Sequence, residues 1–345
     1  MLIFLIVLVC CVVVCEIVSQ QSALKRVGYT CKPTSSVVEP GEEFELVTTL
    51  TNGKWLPVSY LGRFSSEPTV ARLYSSCFLM PKQRLERRIK ATLPQRGRHF
   101  ILDATLTAGD LLGLSTRTEE VHLFYEIVVL PGRVDAPDLS RALGGFLGDV
   151  SVRRFILEDP VLTIGTREYT GHEPMKTISW KHSARSGQLM VKKFDYTVEN
   201  SVTVLLNVDG NTDYDTLERC FSLARMVVEQ LETRGLQYGF LTNAATAGAL
   251  GRWSEVAEGL GGGHTRTILE GLGRATHDVQ EPFENLLQRA VRRSERGRAH
   301  IIVTPGRMAE DDPLLARLRE QSDGRIFLLS AEELAEEQAE GRAAS

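Results

Sequence analysis

A chain of 345 residues is long enough for two ordinary domains whose cores need neither disulfide nor metal staples. Its 40 basic and 44 acidic residues leave a net charge of -4, and aromatic residues make up 7% of the chain, so neither the electrostatic footprint nor the stacking platform of a nucleic-acid binder is present. Of the six cysteines, Cys10, Cys11 and Cys15 lie in an N-terminal apolar run, while Cys31, Cys77 and Cys220 are far apart. No C-x-x-C pair exists, which removes zinc-knuckle and dithiol redox chemistry; scattered single thiols fit a reducing compartment.

The chain opens M-L-I-F-L-I-V-L-V-C-C-V-V-V-C, with Ile17 and Val18 carrying the apolar character past Glu16. As a helix, this stretch predicts a transmembrane anchor over residues 1–20, roughly 27 Å long at about 1.5 Å per residue. A signal peptide is the competing reading, but no cation precedes the run and Ser19 to Ala23 is a poor cleavage site. Lys25, Arg26 and Lys32 follow it, so the positive-inside bias places the bulk of the chain in the cytoplasm of a single-pass cell-membrane protein.

From Ser36 to Pro131 the grammar is that of strands and turns. Glu43 to Leu50 alternates polar and apolar after the turn signal Pro40-Gly41, and Thr51-Asn52-Gly53-Lys54 is a second turn before Trp55 to Val58. Further strands are expected at Arg84–Leu93, His99–Thr107 and Val121–Leu130. Short strands at this spacing predict an antiparallel β-sandwich over residues 33–131.

Residues 132–200 show little periodicity and several glycines, and read as a linker carrying a dense box at Tyr169–Arg185. From Ser201 the pattern is α/β. The apolar run Val202–Val208 suits a strand buried on both faces, and Tyr214 to Arg234 carries Leu217, Phe221, Ala224, Val228 and Leu231 on one helical stripe. Strands at Leu236–Leu241, His300–Thr304 and Arg325–Leu329, with a helix at Phe283–Arg293, predict a parallel sheet with crossover helices over 201–332, followed by a tail at 333–345.

The box reads Y-T-G-H-E-P-M-K-T-I-S-W-K-H-S-A-R. Two readings of it stand. In one, Tyr169, Glu173, Lys176, Trp180 and Arg185 form a docking surface, with Glu173 pairing Lys176 and Arg185 left to meet a carboxylate elsewhere. In the other, Trp180 and Ile178 plug the α/β sheet while the charges fix an irregular segment. His172 and His182 match no zinc spacing. Gly259–Gly273 lacks the phosphate-cradling G-x-x-x-x-G-K-[ST] and reads as a flexible loop.

Beyond the first α/β strand, Asp209, Asn211 and Asp213 alternate where ligands of open parallel sheets bind. They are weak candidates for a Mg-type cation site, against the simpler reading of an Asx-rich turn with Asp213 capping the next helix. No nucleophile–base pair is visible, so no catalytic residue is assigned, no cofactor is expected, and a cell-envelope hydrolase ranks last.

The box resembles the signature of the domain of unknown function 58 family: Tyr, then Gly-Asp-Pro, Arg-x-Ile-x-Trp and Ala-Arg. Here His172-Glu173-Pro174 stands for Gly-Asp-Pro, while Lys176-Thr177-Ile178-Ser179-Trp180 and Ala184-Arg185 follow the pattern. Gly41-Glu42, Asn52–Val58, Gln95–Arg98, Gly109–Leu114 and Val128–Pro131 are similar too. The resemblance implies a bacterial, membrane-anchored, non-enzymatic adaptor with a C-terminal von Willebrand factor A-like domain. It also implies a MoxR-type AAA+ ATPase as partner, in assembly or activation of other proteins. The metal site of such a domain uses Asp-x-Ser-x-Ser; Asp209-Gly210-Asn211 lacks the hydroxyls. A metal-dependent protein-binding module is therefore the alternative.

Overall fold

The computed structural model describes residues 2–22, 26–55, 57–64, 74–109, 116–153, 163–171, 175–194, 201–247, 254–294, 298–308 and 312–344. Its first element is helix α1 (Leu2–Ser22), whose side chains from Ile3 to Val14 are exposed. Among the described residues no helix is long and apolar enough to cross a membrane. The unbroken apolar run Leu2–Cys15 stops at Glu16, and the helix finishes on Ser19-Gln20-Gln21-Ser22. That run reaches only about 21 Å as a helix, against a bilayer core of about 30 Å. This overturns the expected transmembrane anchor, and with it the membrane assignment and the single-pass placement with a cytoplasmic bulk.

The chain divides into two compact units, residues 1–132 with 269–275, and residues 133–268 with 276–345. The first holds β1 (Val27–Pro33), β2 (Val37–Val38), β3 (Glu43–Asn52), β4 (Val58–Phe64), β5 (Tyr74–Leu79), β6 (Arg84–Thr92), β7 (Gly97–Gly109) and β8 (Thr116–Val129). They form two sheets, in the orders β1-β3-β6 and β2-β8-β7-β4-β5, over one shared core. On β3 the alternation puts Phe44, Leu46, Thr48, Leu50 and Asn52 inward, so one face is apolar apart from two hydrogen-bonded polar groups. Thr48 donates to the carbonyl of Arg87 (3.1 Å) and Asn52 to that of Met80 (3.0 Å). The unit is not wholly antiparallel, because β2 runs parallel to β8. Cys31 on β1 is fully buried, and burial pushes its thiol up to about 12.

The second unit begins with α2 (Pro137–Arg153), then β9 (Thr163–Glu168), a 3-10 turn (Met175–Thr177), α3 (Trp180–Ser186) and β10 (Met190–Phe194). The expected linker thus carries a helix and an antiparallel β9–β10 hairpin. There follow β11 (Ser201–Leu206), α4 (Tyr214–Thr233), β12 (Gln237–Thr242), β13 (Ala244–Thr246), β14 (Glu255–Gly259) and α5 (Gly262–Arg274). The last elements are β15 (Ala275–Val279), α6 (Phe283–Arg293), β16 (Ala299–Thr304), α7 (Pro313–Gln321), β17 (Ile326–Ser330) and α8 (Ala331–Ala344).

The main sheet has the order β14-β12-β11-β16-β17. Neighbours are parallel from β12 to β17, but β14 pairs β12 antiparallel, which corrects the expectation of a purely parallel sheet. Every residue of β11 and β16 is buried, as central strands covered on both faces require. Leu205, Leu241 and Ile302 pack with Leu286, Leu287 and Ala290 of α6 and Leu315 and Leu318 of α7. The stripe Leu217, Phe221, Ala224, Val228 and Leu231 of α4 is buried as well.

The stretch expected to be a flexible glycine loop is largely helix α5. Its closing residues, Leu269–Ala275, belong with the first unit. A Cβ on Gly273 would lie 2.6 Å from Val128 Cγ1 and 2.9 Å from the Val129 carbonyl, so close packing demands glycine there despite its low helix propensity. Arg96 donates to the carbonyls of Leu272 and Ala275, a cation at a helix C-terminus where it complements the dipole.

Candidate functional site

The box occupies the long connection of the β9–β10 hairpin. Tyr169 leaves β9 half-buried, its amide donating to the Leu189 carbonyl at 2.8 Å, and Ile178 bridges Val191 on β10 with both side chains buried. Ser179 is buried too, and its amide donates to Met190 O at 2.8 Å. Helix α3 then runs to Gly187, whose left-handed φ of 71° lets its amide close back on the Ser183 carbonyl.

This frame fixes which side chains face solvent. Ile178, not Trp180, is the apolar anchor. Trp180 opens α3 with 63% of its surface exposed, beside Met175 at 70%. The expectation that Trp180 plugs the sheet is therefore overturned. Lys176, Lys181 and Arg185 are exposed, and among the described residues no ion pair is seen for any of them. Glu173 and His172 lie outside the described residues, so the expected Glu173–Lys176 pair does too.

Two serines escaped the sequence reading. Ser183 Oγ donates to Ser179 O at 2.9 Å and accepts from the Met190 amide at 2.8 Å, tying helix to strand. Ser179 Oγ meets His182 Nδ1 at 3.0 Å. Their only sequence signal is the four-residue spacing of Ser179 and Ser183. Among the described residues no carboxylate is seen with His182, the third group that orients a catalytic histidine.

The second candidate region lies at the carboxyl ends of β11 and β16, where the strand order reverses. A cleft of about 490 Å³ opens there, with Asn207, Asp209, Asp213, Thr304, Asp312 and Glu332 in its lining. Asn211 is not among the lining residues. Each of these carboxylates already holds a backbone amide: Asp209 that of Asn211 (3.0 Å), Asp213 that of Thr216 (3.0 Å), Asp312 that of Leu314 (2.8 Å) and Glu332 that of Arg307 (3.3 Å). The Thr216 amide holds the Asp213 carboxyl below the usual range. Among the described residues no group of three or more His, Cys, Asp or Glu converges as metal ligands would. Asp213 and Asp312 cap helices, Asp209 closes a turn, and Glu332 ties down the loop after β16. Asn243, fully buried, binds the loop behind them: it donates to Asn207 Oδ1 (3.0 Å) and accepts from the Val208 amide (2.7 Å).

His300 and Ser322 form a second serine–histidine pair among the described residues, Oγ to Nδ1 at 2.9 Å. Both are fully buried, and Ser322 Oγ also donates to Leu318 O at 2.6 Å. Sealed from substrate, this pair joins β16 to the end of α7.

No family model matches the chain. It is similar to the uncharacterized protein YeaD of Bacillus subtilis (strain 168), with 23% identity over 241 residues, 69% of this chain and 57% of the relative. The chain therefore spans little more than half the length of that relative. Among solved structures it is similar to the CARDB domain of a Pyrococcus furiosus protein, solved with di-metal ions, at 18% identity. That match has a TM-score of 0.22 and covers 30% of this chain and 91% of the domain. It is also similar to a PapD-like domain of human CEP192, at 13% identity and a TM-score of 0.21, over 30% of this chain and 83% of that one.

Proposed function

We propose that the chain is a non-enzymatic adaptor that docks a MoxR-type AAA+ ATPase through the face formed by Tyr169, Lys176, Trp180 and Arg185. The observation that carries this reading is the exposure of Trp180 at 63%, with Lys176, Lys181 and Arg185 exposed in the same segment and in no ion pair among the described residues. Exposed tryptophan and arginine are the residue types enriched in binding hot spots. The identity of the partner rests on the resemblance carried by the box. Docking needs no group that turns over, which agrees with a site built of an aromatic anchor and fixed charges.

The test is capture of a purified MoxR-type ATPase by the full chain. Arg185→Glu and Trp180→Ala should each weaken capture. Because both side chains face solvent, stability should stay within about 0.5 kcal/mol of the parent in denaturant unfolding. An Arg185→Glu protein that captures the ATPase as well as the parent would leave the box a purely structural joint.

A further inference from the structure

Helix α3 is built against its own stability. Lys181 and Arg185 are four residues apart, hence neighbours on one face, and both are exposed. Like charges at that spacing oppose an isolated helix. The nearest acid in sequence beyond the undescribed residues is Glu168 on β9, opposite Met190 in the hairpin, and no ion pair joins it to α3 among the described residues. Lys176 adds a third cation in the turn just before the helix, and Lys192 on β10 is exposed as well. Into this cationic surface are set Met175 and Trp180, both more exposed than buried.

We propose that this face binds a short acidic segment of a partner protein, its carboxylates meeting Lys176, Lys181 and Arg185 and an apolar side chain lying against Trp180 and Met175. The inference rests on the docking reading above and gives its partner a chemistry. Charge complementarity selects the occupant: the like-charged helix gains most from a ligand that brings carboxylates to it. A long polyanion is disfavoured, since the chain as a whole carries a net charge of -4. Arg185 suits a carboxylate because its planar fork binds both oxygens at once.

The experiment uses the full chain and a fluorescein-labelled peptide of alternating Glu and Leu, its Gln/Leu counterpart, and an oligothymidylate of equal charge. Anisotropy should report binding of the Glu peptide that weakens with added salt, at least about tenfold weaker binding of the Gln peptide, and a similar loss in the Lys181→Glu/Arg185→Glu double variant. Blue-shifted Trp emission on binding, absent in Trp180→Phe, should place the peptide on α3. Equal binding of the Glu and Gln peptides, or tighter binding of the oligothymidylate, overturns the inference. Circular dichroism of the double variant checks that the fold persists. The two readings separate cleanly. A double variant that loses the peptide yet captures the ATPase refutes docking through the box and leaves the acidic preference standing. Lost capture with no peptide binding by the parent refutes the acidic segment alone.

Discussion

At the scale of single residues, His300 shows how burial turns a side chain into a pH sensor of stability. Burial, then the neighbouring Arg298 charge, lowers it from an ordinary 6.5 to about 4. The folded protein thus refuses a proton that the unfolded chain accepts. The stabilisation is complete above about pH 6.5 and is lost as pH falls toward about 4, amounting to roughly 3 kcal/mol across that window. Urea midpoints measured between pH 7 and 4 should fall accordingly, and His300→Gln should flatten the slope even though it lowers stability overall. Trp180 teaches the opposite lesson. Large aromatics are usually interior, and the box has no periodicity to say otherwise, so sequence alone left a core role open. What excludes Trp180 is local: the bridge from Ile178 to Val191 fills the inward position first.

Among the elements, those whose apolar spacing matches one period were legible. The α4 stripe and the unbroken apolar run of β11 announce themselves because each buries a continuous surface. The elements that hid were rich in glycine or short of alternation. In α2, Leu143, Leu147 and Val150 are buried at helical spacing, yet Gly144, Gly145 and Gly148 break the pattern to the eye. In α5 Gly273 answers to packing, which no propensity scale contains. Gly273→Ala should therefore cost about 1–3 kcal/mol, well beyond the fraction that better helix propensity returns. Gly263→Ala, where a Cβ meets nothing within 4 Å, should be neutral or stabilising in the same thermal melts. If both behave alike, the close approach of Val128 is not the reason for glycine at 273. The residues proposed for docking stand close together in the sequence, but their exposure could not be read there because it depends on the hairpin that carries them.

For the whole molecule, composition bounded the answer more firmly than it named it. Two units and a net charge of -4 describe its organisation without assigning an activity. The apolar N-terminus was read as a membrane span on hydropathy, but Glu16 and the polar end of α1 leave its apolar run too short. The pattern of cysteines has a further use. Cys31 lies in the first unit and Cys220 in the second, each fully buried with its thiol pushed up to about 12, whereas Cys10 and Cys11 are exposed on α1. A thiol alkylates as the thiolate, so the buried pair can react only when the unit around each one opens. Pulsed alkylation read by peptide mass should find Cys31 and Cys220 slower than Cys10 by orders of magnitude. In rising denaturant each should then speed up on its own schedule. The chain thus carries a separate clock in each half, and the interval between them would time whether the two unfold as one body or in turn.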